Sequence, residues 1–264
     1  MLWISVSHGI SIDNLMKSMS YRLVLGIAWS CLFGFGAHAQ ALVDVETGAV
    51  LSGRYNEVRV PGNGGTLFDI AKEFDTKPTF FYRVRVGYTF GKRHTVSALF
   101  APLSVKSTGV TSKNINFNGA SFDLNSPLEI RYQFNSYRLT YRYDFISHER
   151  FTLGLGLTAK IRDAAIQLTN AQTSSEKTNL GIVPLVNFYL NWQFADRLQL
   201  MLEGDALAAP QGRAEDVFAG IGVQLAEQWT LKAGYRLLEG GADNDEVYNF
   251  TWFNYASLGL IWRP

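Results

Sequence analysis

The chain has 264 residues, of which 47% are hydrophobic, 14% aromatic and only 18% charged, with 24 Lys+Arg against 23 Asp+Glu. That composition excludes a disordered chain, a collagen-like repeat and a coiled coil, and the balanced charge offers no basic surface for nucleic acid. Net charge normally keeps soluble proteins apart, so a neutral, aromatic-rich chain points to a solvent other than water.

Residues 1–39 read as an address rather than as part of the fold. Lys17 and Arg22 precede an uncharged run at 23–36 (LVLGIAWSCLFGFG), and Ala37-His38-Ala39 ends it with small residues at the two positions a signal peptidase reads. A charged start, an apolar middle and an A-x-A end are the parts of a secretory signal peptide, so cleavage is expected near Ala39. The run falls short of the roughly 20 residues that a membrane-spanning helix needs. Residues 1–15 add nothing a signal requires, which makes Met16 or Met19 an alternative start. Cys31, the single cysteine, lies in this segment. A lipid anchor there is the minor reading, because Trp29 occupies a position where a small residue is wanted. Removing the segment leaves 40–264 as one domain without cysteine, in which acidic and basic residues balance.

From Gln40 onward the pattern is alternation. In 81–90, Tyr82, Val84, Val86, Tyr88 and Phe90 oppose Arg83, Arg85, Gly87 and Thr89. In 137–145, Tyr137, Leu139, Tyr141, Tyr143 and Phe145 oppose Arg138, Thr140, Arg142 and Asp144, and 151–162 repeats the theme with leucines against Gly, Thr, Lys and Arg. Period two marks strands with one apolar and one polar face. Such segments lie near 42–56, 79–91, 94–107, 128–146, 150–167, 179–194, 197–208, 215–226, 228–238 and 248–262. Most exceed an ordinary strand and suit the about 9–11 residues of a tilted membrane-spanning one.

The connections alternate as well. Tight turns are expected at 91–93, 147–149, 195–197 and 226–228, and longer loops at 57–78, 108–127, 168–178, 209–214 and 239–247. Short turns on one side and long loops on the other are the pattern of an outer-membrane barrel. One or two helical turns fit 66–74 (TLFDIAKEF). The expected fold is all-β, an up-and-down antiparallel transmembrane β-barrel of about ten strands. Eight or twelve remain open, because 108–127 can extend the sheet above the membrane. A slip in the alternation near Asn135 marks a bulge or a boundary.

Alternation alone does not say which face is inside. Large aromatics gather on the apolar face toward strand ends, at Tyr82, Tyr88, Phe90, Phe188, Trp192, Phe194, Trp252 and Trp262. Trp and Tyr collect at the edges of a bilayer. The opposite face mixes Gly, Thr and Asn with charges of both signs, unlike a soluble exterior. The apolar face is therefore read as outward, making aromatics the membrane-interface girdle. The inward face then carries Glu46, Arg54, Arg83, Arg85, Arg138, Arg142, Lys160, Arg162, Glu203, Asp205, Lys232 and Arg236 as a lumen charge network.

The signal segment, the strand pattern and the last strand, Tyr248 to Trp262 with Ala256, Leu258, Leu260 and Trp262 on one face, resemble the bacterial outer-membrane β-barrel superfamily, of the small OmpA-like and porin-like kind. The family usually ends on Phe, whereas Arg263 and Pro264 follow Trp262 here. The resemblance implies residence in the cell outer membrane, insertion by the barrel-assembly machinery, and outer-membrane lipid and lipopolysaccharide as partners.

Chemistry is sparse. His94 and His148 both fall at expected tight turns, on the side away from the long loops, and read as exposed turn residues. The barrel enzymes of this superfamily are similar in using a histidine in the outer half, and none matches here. Glu203 and Asp205 have the spacing of an acid/base pair, but so does any same-face pair in a sheet. Loop acids Glu215, Asp216, Glu239, Asp243, Asp245 and Glu246 lack a calcium-loop pattern. The expectation is a non-enzymatic barrel without cofactor or metal, its narrow lumen filled by ion pairs, in a structural or surface-interaction role. A small channel for solutes or hydrophobic ligands is the alternative, and a carboxylate hydrolase the least favoured.

Overall fold

The structure, a computed structural model, describes residues 40–264 apart from Gln211, so the expected signal peptide lies outside the described residues. In chain order the elements are β1 (Gln40–Arg59), β2 (Phe68–Asp69), α1 (Ile70–Glu73), β3 (Asp75–Thr76), β4 (Thr79–Phe90), β5 (His94–Ala101), β6 (Ser104–Val110), β7 (Ile115–Phe117), β8 (Ala120–Phe122), β9 (Pro127–His148), β10 (Phe151–Thr169), β11 (Ser174–Ala195), β12 (Leu198–Ala209), β13 (Gly212–Ala226), β14 (Trp229–Asp243) and β15 (Tyr248–Trp262).

Each long strand pairs antiparallel with the next, and β15 returns to β1, for example at Val45↔Leu260. β5 and β6 form one stave, both lying on β9 and separated only at Pro102-Leu103. Proline has no N–H to continue the ladder, and the Leu103 N–H donates instead to Asn135 Oδ1 at 3.2 Å. The result is a closed ten-stranded barrel. Closure satisfies every strand edge it covers, the condition for a sheet to stand in lipid.

The tight connections gather at one end. At Gly91-Lys92 both residues take positive φ, 57° and 63°, the backbone of the two-residue hairpin turn. At the opposite end the strands run further than the alternation predicted. Most of the loop expected at 168–178 is strand, with β10 and β11 paired out to Thr169↔Ser174, and β14 and β15 stay paired out to Asp243↔Tyr248.

The slip near Asn135 is a boundary. β9 holds one register with β10 through it, pairing Phe134↔Ala164, Asn135↔Asp163 and Ser136↔Arg162. What changes is which face is apolar. On the turn side of Asn135, Tyr137, Leu139, Tyr141, Tyr143 and Phe145 point out, while Ser136, Arg138, Thr140 and Asp144 are buried inside. Beyond it, Glu129, Arg131 and Gln133 point out, while Leu128, Ile130 and Tyr132 are buried. The strand passes from lipid to water, and the apolar residues move to the only dry side that remains. The bulge in β9 lies elsewhere, at Phe145, between the pairs Ile146↔Leu153 and Asp144↔Gly154.

The outer half therefore has an ordinary hydrophobic core. Val58, Leu128, Ile130, Leu168 and Phe253 from the barrel wall pack with Val60, Phe68, Ile70 and Phe74 of the first long loop and Ile115, Phe117 and Phe122 of the second. The second loop is the hairpin β7–β8, turned by Asn118-Gly119 with φ of 47° and 82°. The first carries α1, a single turn shorter than the upper expectation. Asp69 Oδ1 accepts from the Ala71 N–H at 3.0 Å, and Glu73 Oε1 accepts from the Asp69 N–H at 2.9 Å, a reciprocal cap. The loops are joined by Thr66 N–H to the Asn116 carbonyl (2.9 Å) and Asn118 N–H to the Val60 carbonyl (2.8 Å).

Candidate functional site

The turn-side half of the lumen is filled with charge. Lys232, with a fully buried side chain, reaches Asp44 at 2.7 Å, Glu46 at 3.0 Å and Glu203 at 3.5 Å. Arg236 takes both oxygens of Glu46, at 2.6 and 2.7 Å, and Asp216 at 2.6 Å. Asp216 also receives Arg83 at 2.9 Å and Arg138, which in turn donates to Asp205 at 2.6 Å. Arg85 reaches Glu203 at 3.3 Å. Thr158 and Asn187 donate to the other oxygen of Asp205 at 2.6 and 2.9 Å. The Phe218 ring lies 4.9 Å from Lys232 Nζ and 5.3 Å from the Arg236 guanidinium carbon. Buried charges survive only when paired and hydrogen-bonded, and here each group bridges two or more staves.

Of the twelve charges read as inward, Glu46, Arg83, Arg85, Arg138, Glu203, Asp205, Lys232 and Arg236 come together in this cluster. Arg142 stands apart, pairing with Asp144 at 2.7 Å and lying 3.9 Å over the Tyr189 ring. Lys160 is buried and Arg162 half-buried beside a separate cavity. Arg54 is a correction. It is exposed, because the β1–β15 register shifts between Leu51 and Tyr55 and the intervening residues leave the ladder. Two central carboxylates were missed, Asp44 and Asp216, and Asp216 was read as a loop acid although it is 2% exposed on β13. Glu239 is likewise not in a loop. It lies on β14, bonded by Tyr55 and Arg213.

The aromatics read as a girdle all sit on outward positions. Trp192 and Phe194 pack edge to face near the turns, and Trp262 lies beside Trp229. Phe90 stacks on His94, whose Nδ1 is 2.8 Å from the Tyr141 hydroxyl. His94 is therefore half-buried within this belt rather than an exposed turn residue, while His148 is exposed. Tyr82 packs on Phe100 and Trp252 on Tyr55, further from the turns. Tyr88 is half-buried near the turn end. Phe188 is deeper in the belt, opposite Leu155 and Gly204.

Beside the outer core a cavity of about 490 Å³ lies between the β9–β11 wall and the β12–β14 wall, lined among others by Phe134, Lys160, Arg162, Ile166, Lys177, Val183, Leu207 and Ala214. It faces a break in the barrel. β11 pairs β12 only from Val186↔Ala206 down to the turn, although β11 stays paired to β10 as far as Ser174.

An apolar belt edged with aromatics around a closed, charged lumen is the architecture of a bacterial outer-membrane β-barrel, and it places the protein in the outer membrane. No family model matches the chain, and no curated protein matches its sequence. Solved structures do resemble it. The outer membrane protease OmpT of Escherichia coli superposes with a TM-score of 0.56 at 10% identity, covering 85% of this chain and 97% of its own. The translocator domain of the autotransporter NalP from Neisseria meningitidis gives 0.42 at 13% identity, with 96% and 97% covered. The attachment invasion locus protein Ail of Yersinia pestis gives 0.38 at 12% identity, with 86% and 100% covered.

Proposed function

We propose that the protein is a non-enzymatic outer-membrane barrel with a sealed lumen, acting structurally or through the surface of its outer half. The observation that carries this reading is the interlocked charge network across the turn-side lumen, with the apolar core of the two long loops stacked above it. Ten staves enclose a bore little wider than the eight-stranded kind that side chains can fill. Against catalysis stands the engagement of Glu203 and Asp205. Asp205 is held by Arg138, Thr158 and Asn187, and Glu203 by Arg85 and Lys232, which leaves neither carboxyl facing a substrate. Its partners are then the lipid and lipopolysaccharide of the outer membrane, with the assembly machinery acting during insertion. The alternative, a small channel for solutes or hydrophobic ligands, finds support only in the side cavity.

The test is single-channel recording of the folded barrel in a planar bilayer, with folding verified by heat-modifiable gel mobility. A silent bilayer is expected. Stable ohmic steps from folded protein would overturn the sealed-lumen reading and make the inward Arg and Glu side chains a selectivity filter.

A further inference from the structure

The lumen network balances its charges. Asp44, Glu46, Glu203, Asp205 and Asp216 face Arg83, Arg85, Arg138, Lys232 and Arg236, one carboxylate for each cation. Lys160 is a buried cation left over from this pairing. It is 2% exposed, as buried as the others. Among the described residues no carboxylate lies within the 4.0 Å of an ion pair, and its near contact is the Phe134 ring, 4.5 Å from Nζ. An unpaired buried ammonium is costly. A fold tolerates one where a ligand brings the counter-charge.

Lys160 opens onto the side cavity. Arg162, which donates to Asn179, joins it there, and Lys177 stands at the rim paired with Glu246 at 3.1 Å; no Asp or Glu is among the lining residues, and Ile166, Val183 and Leu207 make the walls apolar. The cations call for an anion and the walls for hydrocarbon. The volume of about 490 Å³ falls within the range of about 300–1,000 Å³ usual for small-molecule sites.

The entrance is the third observation. Above Val186↔Ala206 the β11 edge has no partner in β12. Leu180 and Ile182 on that edge point outward and are 74% and 77% exposed, continuing the lipid-facing belt. Pro184 sits at the same level, and proline in a sheet belongs where a donor is not required. An unpaired edge at membrane depth is tolerated only where it borders a cavity or protein. Ile182 and Pro184, on the outward face of this edge, also line the cavity, so the gap opens it toward the outside of the barrel wall.

We propose that the side cavity binds a single-chain anionic amphiphile that enters from the outer leaflet between β11 and β12. Its head group sits on Lys160 and Arg162, and its chain lies along Val183 and Leu207 toward the gap. A fatty-acid carboxylate and a lipid phosphate share this chemistry. The site is independent of the surface role and of whether the bore conducts.

The experiment uses the folded barrel in nanodiscs of neutral phosphatidylcholine and measures binding of radiolabelled palmitate, hexadecyl phosphate and hexadecanol. Saturable binding of at least one anion is expected, with hexadecanol about ten-fold weaker or more, the scale of a lost charged hydrogen bond. The tighter anion identifies the source, carboxylate or phosphate. Lys160→Met should weaken anion binding about ten-fold, Lys160→Arg should largely retain it, and Leu207→Trp, which fills the cavity, should abolish it. The comparison of anion with alcohol is made on the unmodified protein, so it stands even if a variant fails to fold. Equal binding of palmitate, hexadecyl phosphate and hexadecanol would overturn the proposal. So would undiminished binding by folded Lys160→Met or Leu207→Trp.

Discussion

The two halves of this barrel share the same strands and solve opposite problems. Near the turns, β9 puts Tyr137 and Leu139 outside and Arg138 inside; near the long loops it puts Glu129 and Arg131 outside and Ile130 inside. Neither the ladder nor the handedness of the pleat changes between them. Only the solvent does. In lipid the outside is the dry place, so the charges retreat to the bore and neutralise one another there. In water the bore is the dry place, and it fills with Phe117, Phe122 and Ile130 as a soluble protein would. Buried polar groups stabilise little net of their desolvation, whereas buried apolar area stabilises directly. The membrane half should thus be specified by pairing and the outer half by packing.

Substitutions can break that contrast. The largest effect is expected at Asp216, the carboxylate shared by Arg83, Arg138 and Arg236. Asp216→Leu leaves buried cations without a partner and should cost about 3–5 kcal/mol or more, read from urea unfolding in detergent micelles. An unchanged unfolding midpoint would mean that pairing does not hold this half together. Next is Phe117→Ala in the outer core. Truncating a buried Phe costs about 3 kcal/mol or more, but here the loss should be local. Proteolysis of the 111–126 hairpin should accelerate while the heat-modifiable gel shift stays unchanged. Leu139→Arg, 60% exposed on the lipid face, should cost about 2–4 kcal/mol and slow folding into vesicles. The smallest effect is expected ten positions earlier on the same strand and face. There Glu129 meets Lys106 at 3.3 Å with both largely exposed, so Glu129→Gln should change stability by less than about 1 kcal/mol. Similar penalties at Leu139 and Glu129 would remove the boundary at Asn135.

Much of the charge network was legible through parity, and its omissions were legible too. The inward set read from alternation held Glu46, Glu203 and Asp205 against a large excess of Arg and Lys. A narrow bore cannot keep such an excess, so further carboxylates had to exist. Asp44 shares its face with Glu46, and Asp216 shares its face with Phe218, yet Asp216, second in the segment 215–226, counts among the loop acids because the apolar alternation fades at that end. The fading marks the end of the lipid belt, not the end of the strand. The same confusion shortened β11 and β14. Arg54 failed for the reverse reason: parity assigned it inward, and a register shift that no side-chain pattern announces took it out.

Alternation, strand length, turn spacing and the placing of aromatics were enough to define a membrane barrel of about ten strands with its charged face inside, because period two, the hydrophobic thickness of a bilayer and its aromatic edges are local constraints. Which acid meets which base, the apolar core over the bore and the break between β11 and β12 depend on staves far apart in the chain. Asp44 and Lys232 lie 188 residues apart and meet at 2.7 Å. Closure of the barrel brings them together, and closure is a property of the whole sheet that no single strand carries.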